Sequence, residues 1–263
     1  MEVFPRIMVD HIGDHSGFKF HPKCASLKIS HLCFANDLLI FSEASPNSIK
    51  VVKSALVEFE SLSGLKSNPS KSSFFCSGIL ERTKHILLSD LWMIEGHFPV
   101  RYLGVPLISS RLSAANCRAL INRISGWIDS WLSRSLSYAG RLQLIAYVLY
   151  SLQAYWSNIF ILPKRVIKNI EQKFNRFLWN GNNAGYAKAK VSWTDVCLPK
   201  KENGLGLKRI DVWNHSSMLR HIWSLFAHSD SIWVAWVKEN LLKKKSFWSI
   251  GVSQNCSWNW KKI

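Results

Sequence analysis

The sequence has few acidic residues and no long apolar run. Its 263 residues include 17 Asp and Glu against 34 Lys and Arg, which gives a formal net charge of +17. An excess of this size indicates a polyanionic partner such as nucleic acid. The longest apolar candidate, residues 142–162, is interrupted by polar side chains, so the sequence predicts no membrane-spanning helix.

The six cysteines include no Cys-x-x-Cys pair, and the chain shows no secretory signal. We therefore expect reduced thiols, no disulfides and an intracellular protein, either nuclear or cytoplasmic. His21-x2-Cys24 and His31-x-Cys33 together could supply four zinc ligands. The one-residue spacing of the second pair is poor for a compact tetrahedral site and fits one face of a strand better.

The net positive charge lies entirely in the later part of the chain. Residues 1–99 hold ten basic and ten acidic residues, whereas residues 100–263 hold 24 basic and seven acidic residues. The chain is also rich in aromatic residues, with 13 Trp and 14 Phe, and 48% of its residues are hydrophobic, which is ample for a core. The C-terminal two-thirds of the chain therefore carries the whole charge excess, and the hydrophobic content suffices for a core.

A short apolar ribbon with a polar tip lies at residues 31–41. Apolar residues flank Asn36 and Asp37, and because Asn and Asp tolerate tight-turn dihedrals, the stretch predicts a β-hairpin with its turn at residues 35–37. Such a hairpin places a carboxylate at a fixed point, where a divalent metal could use it. An ordinary Asn-Asp turn is the alternative interpretation.

Phe34-Ala35-Asn36-Asp37 resembles the Phe/Tyr-Ala-Asp-Asp signature of reverse transcriptases, in the form carried by plant non-LTR (LINE-type) retroelements. The resemblance implies an RNA-directed DNA polymerase that uses Mg²⁺, an RNA template and a DNA primer, with no small-molecule cofactor. It gives Asp37 a metal-binding role. Asn36 departs from the pattern, because the family has a metal-ligating aspartate there and a carboxamide is a weaker Mg²⁺ ligand.

Two further motifs extend the resemblance. Lys71 matches a lysine placed beside the incoming nucleotide, although a solvated loop lysine is an equally good interpretation. Tyr102, Leu103 and Gly104 resemble the hairpin that grips the primer end, where a glycine lets the backbone approach a sugar-phosphate strand closely. Asn36, Asp37 and Lys71 are thus the candidate catalytic residues, and residues 102–104 are the candidate primer grip.

Helical periodicity dominates after residue 112. Apolar stripes predict three helices up to residue 180, then two more near 210–227, where Trp213 and Trp223 lie among the apolar residues, and near 230–242. The basic residues of the first three helices suit contact with a phosphate backbone, as in a polymerase thumb, or else form a merely solvated surface. These residues are Arg118, Arg123, Arg134, Arg141, Lys164, Arg165, Lys168, Lys173 and Arg176.

The sequence therefore predicts an α+β fold: a partial palm with a short antiparallel sheet and packed helices at residues 1–108, followed by a mainly helical thumb-like domain at 109–181. Residues 182–263 resemble the family's connection toward a zinc-type segment, often followed by ribonuclease H. Because the upstream metal aspartate is not in the sequence, we expect an inactive fragment that binds nucleic acid. A non-enzymatic RNA- or DNA-binding protein and a pseudogene product are the alternatives.

Overall fold

The computed structural model describes residues 3–14, 17–91, 93–132, 136–180, 191–227, 230–243, 245–251 and 256–262. Within these ranges the chain is a mixture of helices and short strands, as expected for an α+β fold. None of the helices in these ranges combines the length and the apolar character that a bilayer crossing requires.

The regular elements follow one another in this order along the chain. They are α1 Phe4–Asp14, β1 His31–Phe34, β2 Asp37–Ile40, α2 Pro46–Ser63, β3 Ser73–Phe74, α3 Glu81–Leu91, β4 Ile94–Glu95, β5 Val100–Tyr102, β6 Val105–Leu107, α4 Arg118–Leu132, α5 Tyr138–Gln143, α6 Tyr150–Ser157, α7 Lys164–Asn180, α8 Trp193–Val196, α9 Ile210–Phe226 and α10 Ile232–Val237. A π-helical segment, Leu144–Leu149, joins α5 to α6, and another, Lys238–Leu242, follows α10.

The chain divides into two compact units. Met1–Leu107 and Asp230–Ile250 form one, which we call the mixed unit, and Ile108–Ser229 with Gly251–Ile263 form the other, which we call the helical unit. The first division thus falls beside residue 108, where the sequence changes character. Residues 182–263 are shared between the two units.

The strands of the mixed unit pair in three two-stranded sheets within the described residues. β1 with β2 and β5 with β6 are antiparallel hairpins, whereas β3 and β4 run parallel. The parallel pair is an addition to the short antiparallel sheet that the sequence predicts. A parallel pair needs a crossover between its strands, and α3 lies in that connection.

The core of the mixed unit lies between α1, α2 and one face of the first hairpin. It consists of Phe4, Ile7, Met8, Phe18, Val51, Val52, Ala55 and Phe59, against which Leu38 and Ile40 of β2 pack. Phe4 meets the His31 ring edge to face at 5.7 Å, and burial lowers the pKa of His31. The hairpin is therefore anchored on one face only.

Local sequence signals explain the bounds of α2. Ser45 accepts a hydrogen bond from the Ser48 amide, Pro46 occupies the first turn, and Gly64 ends the helix with a φ of +68°. The Ser-Pro pair and the glycine predict a helix over residues 45–64 from the sequence alone, and the structure confirms it. Residues 17–21 alternate in the way that is typical of a strand, but this prediction is wrong. The Lys19 amide donates to the Ser48 hydroxyl, and the Lys19 carbonyl accepts from the Glu43 amide, instead of pairing with a strand.

The helical unit confirms the three helices predicted before residue 181. In α4, Leu120, Ile124, Ile128 and Trp131 are buried, and in α7 the buried residues are Val166, Ile167, Ile170, Phe174, Phe177 and Leu178. The stretch from α5 to α6 stays helical through its π-helical segment. These spacings bury one stripe of each helix and leave the opposite stripe to solvent.

Asn214 of α9 ties this helix to the end of α6. Its side-chain nitrogen donates to the carbonyls of Ser157 and Phe160, and its oxygen accepts from the Leu162 amide at 2.7 Å. The last carbonyls of a helix have no partner inside the helix, so these bonds satisfy groups that would otherwise be orphaned. Asn214 is only 1% exposed, which makes it a buried polar anchor.

Asn214 lies on the buried face of α9. Ile210, Asn214, Met218 and Leu225 turn inward. Trp213 and Trp223, which the sequence places among the apolar residues that support the helix, are 45% and 71% exposed. Three apolar residues and Asn214 thus form the inner face of α9, and the two tryptophans lie outside it.

Residues 191–200 have the pattern of an extended segment, and this prediction is also wrong. A short helix, α8, occupies Trp193–Val196, and the Ser192 hydroxyl accepts from the Asp195 amide at its start. A helical turn at Lys200–Glu202 follows. Ser and Asp three residues apart favour this local capping over an extended chain.

Candidate nucleic-acid interface

The first hairpin has a two-residue turn at its tip. Phe34 pairs with Asp37 across the strands, which leaves Ala35 and Asn36 as the connection. Ala35 has a φ of +49°, a left-handed conformation that a residue with a Cβ rarely adopts. The predicted hairpin is confirmed, and its tip is conformationally strained at the alanine.

Asp37 lies on the open face of this hairpin. Directly paired residues share a face, so Asp37 stands beside Phe34, with Leu32 and Leu39 next along the strands. Phe34 is 62% exposed, whereas Leu38 and Ile40 on the other face pack against the core. The carboxylate and the neighbouring Asn36 therefore both face solvent.

The residues around Asp37 do not fit a two-metal centre. Two divalent ions need several carboxylates within bonding distance of both. Within the described ranges, no group of three His, Cys, Asp or Glu side chains is suitably placed to hold a metal ion. Asn36 adds a neutral amide oxygen where a second charge would be required. The hairpin thus presents one carboxylate without the rest of a ligand set.

Lys71 lies at the end of a short helical turn, Pro69–Lys71, that begins with the Asn68 side chain accepting from the Ser70 amide. Its side chain is exposed. In the described part of the chain, no hydrogen bond or ion pair joins Lys71 to Asn36 or Asp37. The structure therefore places the three predicted catalytic residues in one unit without linking them directly.

The candidate primer grip is a second tight hairpin. Tyr102 pairs with Val105, which leaves Leu103 and Gly104 as a two-residue turn with φ values of +51° and +79°. Positive φ at both central residues is the requirement of a type I′ turn, which follows the twist of a hairpin. Gly104 meets this requirement without strain and is exposed, while Leu103 is partly buried.

The basic residues of α4 and α7 line exposed helix faces. Arg118 and Arg123 on α4 are exposed, and so are Lys164, Arg165, Lys168 and Arg176 on α7, while Lys173 is partly buried. Arg134 lies outside the described residues. At 100° per residue, Lys164, Arg165, Lys168 and Arg176 share one side of α7, opposite its buried stripe. We call these four residues the α7 cationic face.

The α7 cationic face is not neutralised by the helix that carries it. Glu171 is the sole acidic residue of α7 and interacts electrostatically with Arg209 and Asp211 at α9. Burial raises the pKa of Glu171, and the nearby Asp211 carboxylate acts in the same direction. No ion pair in the described ranges involves Lys164, Arg165 or Lys168. The cations of α7 therefore face solvent, while its carboxylate lies toward α9.

Arg141 differs from the other predicted cations. Its Nε donates to the Leu178 carbonyl at 3.0 Å, and its Nη1 donates to the Leu136 carbonyl at 3.3 Å. Leu178 lies in the last turn of α7, where a cation also complements the helix dipole. The guanidinium thus caps α7 and stabilises the helical unit.

Sequence reasoning did not single out the exposed residues of α9 as a binding surface. Lys208 places its Nζ 3.9 Å from the centroid of the Trp213 ring, and Arg220 is exposed between Trp213 and Trp223. The available signal was that α9 carries apolar residues on two opposite sides. One apolar side would have sufficed to pack it against the core.

A comparison with curated proteins finds a similarity to a protein of Arabidopsis thaliana that carries the provisional name of a ribonuclease H protein. The two are 27% identical over 154 residues, which is 59% of this chain and 24% of the relative. The likeness is distant. No protein-family model matches the chain. The matched part corresponds to about a quarter of a longer protein, so the relative's activity does not transfer directly.

Proposed function

We propose that this chain is related to the palm and thumb of plant LINE-type reverse transcriptases. We further propose that it binds nucleic acid through the helical unit without reading its sequence. The 263-residue chain is not expected to polymerise DNA by itself. RNA, DNA or their hybrid duplex would be the partner, and Mg²⁺ would have no complete ligand set at Asp37.

The observation that carries the binding proposal is the α7 cationic face. Lys164, Arg165, Lys168 and Arg176 lie on one exposed side of a well-anchored helix, and its only carboxylate lies toward α9. A row of cations on a rigid helix suits the regularly spaced phosphates of a nucleic acid. Contacts of this kind supply affinity and orientation without base recognition.

Two other observations support the proposed ancestry without establishing it. The Phe34-Ala35-Asn36-Asp37 segment forms a tight hairpin with Asp37 on an open face, which is the placement expected of a polymerase signature. The plant relative is named for ribonuclease H, and a ribonuclease H domain is expected downstream in LINE-type proteins. Both fit a retroelement origin.

The binding proposal is tested by titrating the full chain with two unrelated 20-base-pair DNA duplexes at several salt concentrations. The dissociation constants should be similar for the two sequences. A plot of log K against log[salt] should fall with a slope of roughly −0.9 per contacted phosphate. Changing Lys164, Arg165 and Lys168 together to Gln should weaken binding to both duplexes and flatten the slope by up to ~3 units.

A matched variant removes the same charge from the other unit. Lys23, Lys50 and Lys53 are exposed lysines of the mixed unit, and their joint change to Gln should leave the slope almost unaltered. Equal losses from the two triple variants would show that net charge, and not the α7 cationic face, determines binding. A strong preference for one duplex would contradict sequence-independent binding.

A further inference from the structure

Helix α9 exposes large apolar side chains on the side opposite its core contacts. Ile210, Asn214, Met218 and Leu225 are buried, while Trp223 is 71% exposed and Trp213 is 45% exposed. Several large apolar side chains grouped on the outer side of a helix that already has a packed face are typical of a binding surface. The two rings are the largest apolar groups on this outer side.

Cations are interleaved with these rings. The Lys208 Nζ lies 3.9 Å from the Trp213 ring centroid, and Arg220 lies between the two tryptophans with its Nη2 3.4 Å from the Asn158 Oδ1. Asp211 is the one acidic residue of α9, and its carboxylate pairs with Arg209 at 2.6 Å. The exposed side of α9 therefore combines aromatic rings and positive charge without an unpaired carboxylate among the described residues.

The spacing of these groups follows from helix geometry. Trp213 and Trp223 are ten residues apart, so they are separated by about 15 Å along the helix axis and by about 80° around it. Arg220 lies between them in both respects. One strand could thus contact both rings, with a cation next to the backbone that joins the contacting nucleotides.

We infer that the outer side of α9 binds single-stranded nucleic acid by stacking bases on Trp213 and Trp223, with Lys208 and Arg220 at the phosphates. This inference rests on the nucleic-acid binding proposed above and specifies a strand type for it. Bases in a duplex are stacked on each other and cannot stack on a side chain, whereas single-strand binders combine a basic groove with aromatic platforms.

A second copy of the chain is the competing occupant of an apolar helix face. The charge observations favour nucleic acid, because two copies with a net charge of +17 each repel one another. A protein interface on this side would bury its aliphatic residues together with the tryptophans, whereas base stacking uses the aromatic rings alone. Leu219 is 60% exposed on the same side of α9. Its substitution therefore distinguishes binding of a second copy from binding of nucleic acid.

The experiment measures binding of the full chain to three labelled probes of equal length: oligo-dT, an abasic oligonucleotide with the same phosphates, and a DNA duplex. Trp223→Ala should weaken binding of oligo-dT by about 5- to 150-fold, the range for the loss of one stacked base. It should barely affect the abasic strand and leave the salt slope unchanged. Trp223→Phe should restore most of the affinity, since a phenyl ring still stacks.

Leu219→Ala is the matched control on the same helix face, and circular dichroism checks that all variants remain helical. It should leave oligo-dT binding unchanged and the chain monomeric. Equal losses for Trp223→Ala and Leu219→Ala, with a dimer that both dissociate, would assign the face to a second copy. Equal losses of Trp223→Ala on oligo-dT and on the abasic strand would also overturn stacking.

The failure of this inference can be separated from the failure of the proposed function. If the unaltered chain binds oligo-dT, the abasic strand and the duplex equally and with a steep salt slope, phosphate binding stands and the stacking inference is wrong. If none of the three probes binds at low salt, the proposed function itself is wrong and the inference is wrong with it.

Discussion

The two units place their candidate residues on different kinds of scaffold. In the mixed unit they lie at the tips of two hairpins and at the end of a short helical turn: Asn36 and Asp37, Leu103 and Gly104, and Lys71. In the helical unit they lie along faces of long helices whose opposite sides are packed. A hairpin tip can present a single reactive group, but a metal centre needs several groups brought together from different elements. A helix face, in contrast, can bind phosphates with cations that recur along a single element.

The largest effect expected from this difference concerns polymerase chemistry. The purified chain should not extend a primer on an RNA or DNA template with Mg²⁺ or Mn²⁺, because Asp37 is a single carboxylate and metal-assisted phosphoryl transfer needs a clamp around both ions. Asn36→Asp should not restore activity, since it adds only one further ligand. Nucleotide incorporation is measured with a labelled primer.

Asp37→Ala provides the control for this assay. Incorporation above that of a heat-inactivated sample, lost in Asp37→Ala, would contradict the prediction. It would also remove the contrast between the units, because the mixed unit would then hold a working centre.

The second effect concerns what holds the helical unit together. Asn214→Ala should lower the free energy of unfolding by about 3–5 kcal/mol, because the Leu162 amide and the carbonyls of Ser157 and Phe160 lose their partner in a buried region. Asn122→Ala, at an exposed position of α4, should change it by less than about 0.5 kcal/mol. Urea denaturation followed by circular dichroism measures both. Similar losses would mean that water replaces the Asn214 bonds.

Much of the fold could be predicted from local chemistry. Ser45, Pro46 and Gly64 determine the ends of α2, and the apolar spacing in α4 and α7 determines their buried stripes. These signals act within one or two helical turns, so a sequence shows them directly. The first hairpin could be predicted for the same reason, since its turn residues and flanking strands are adjacent.

The remaining features depend on contacts between distant residues. Asn214 on the inner face of α9 bonds to carbonyls more than fifty positions earlier, so the apolar residues of the helix alone do not show which side is buried. The pairing of Ser73 with Ile94 and the capping role of Arg141 are likewise long-range. Whether a cation binds a partner or a carbonyl depends on such contacts, and helical spacing does not reveal it.

The third effect separates structural from binding cations in the helical unit. Arg141→Met should lower the free energy of unfolding by about 1–3 kcal/mol, because the Leu178 and Leu136 carbonyls lose a charged donor. Arg123→Met, on an exposed face, should change stability by less than about 0.5 kcal/mol but flatten the salt slope of DNA binding by about 0.9. The opposite pattern would make Arg141 a binding residue and Arg123 a structural one.

The smallest expected effect concerns Glu171 on the inner side of α7, compared with the α7 cationic face on its outer side. Burial raises the pKa of Glu171, Asp211 acts in the same direction, and Arg209 opposes them. Because the folded chain holds this proton more tightly than the unfolded chain, the stability linked to Glu171 is fully present below the ordinary carboxyl pKa. It is lost as the pH rises through the raised pKa.

Glu171→Gln removes the ionisation, so the variant should be slightly more stable than the unaltered chain at pH 7, and the gain should shrink toward pH 4. Glu202→Gln makes the same chemical change at an exposed position and should show no such pH-dependent gain. Unfolding measured across this pH range distinguishes them. Duplex binding by Glu171→Gln should equal that of the unaltered chain, because Glu171 interacts with α9 and not with the α7 cationic face. A loss of stability at pH 7 would instead mean that the attraction between Glu171 and Arg209 outweighs burial, and the inner side of α7 would then be held by an ion pair.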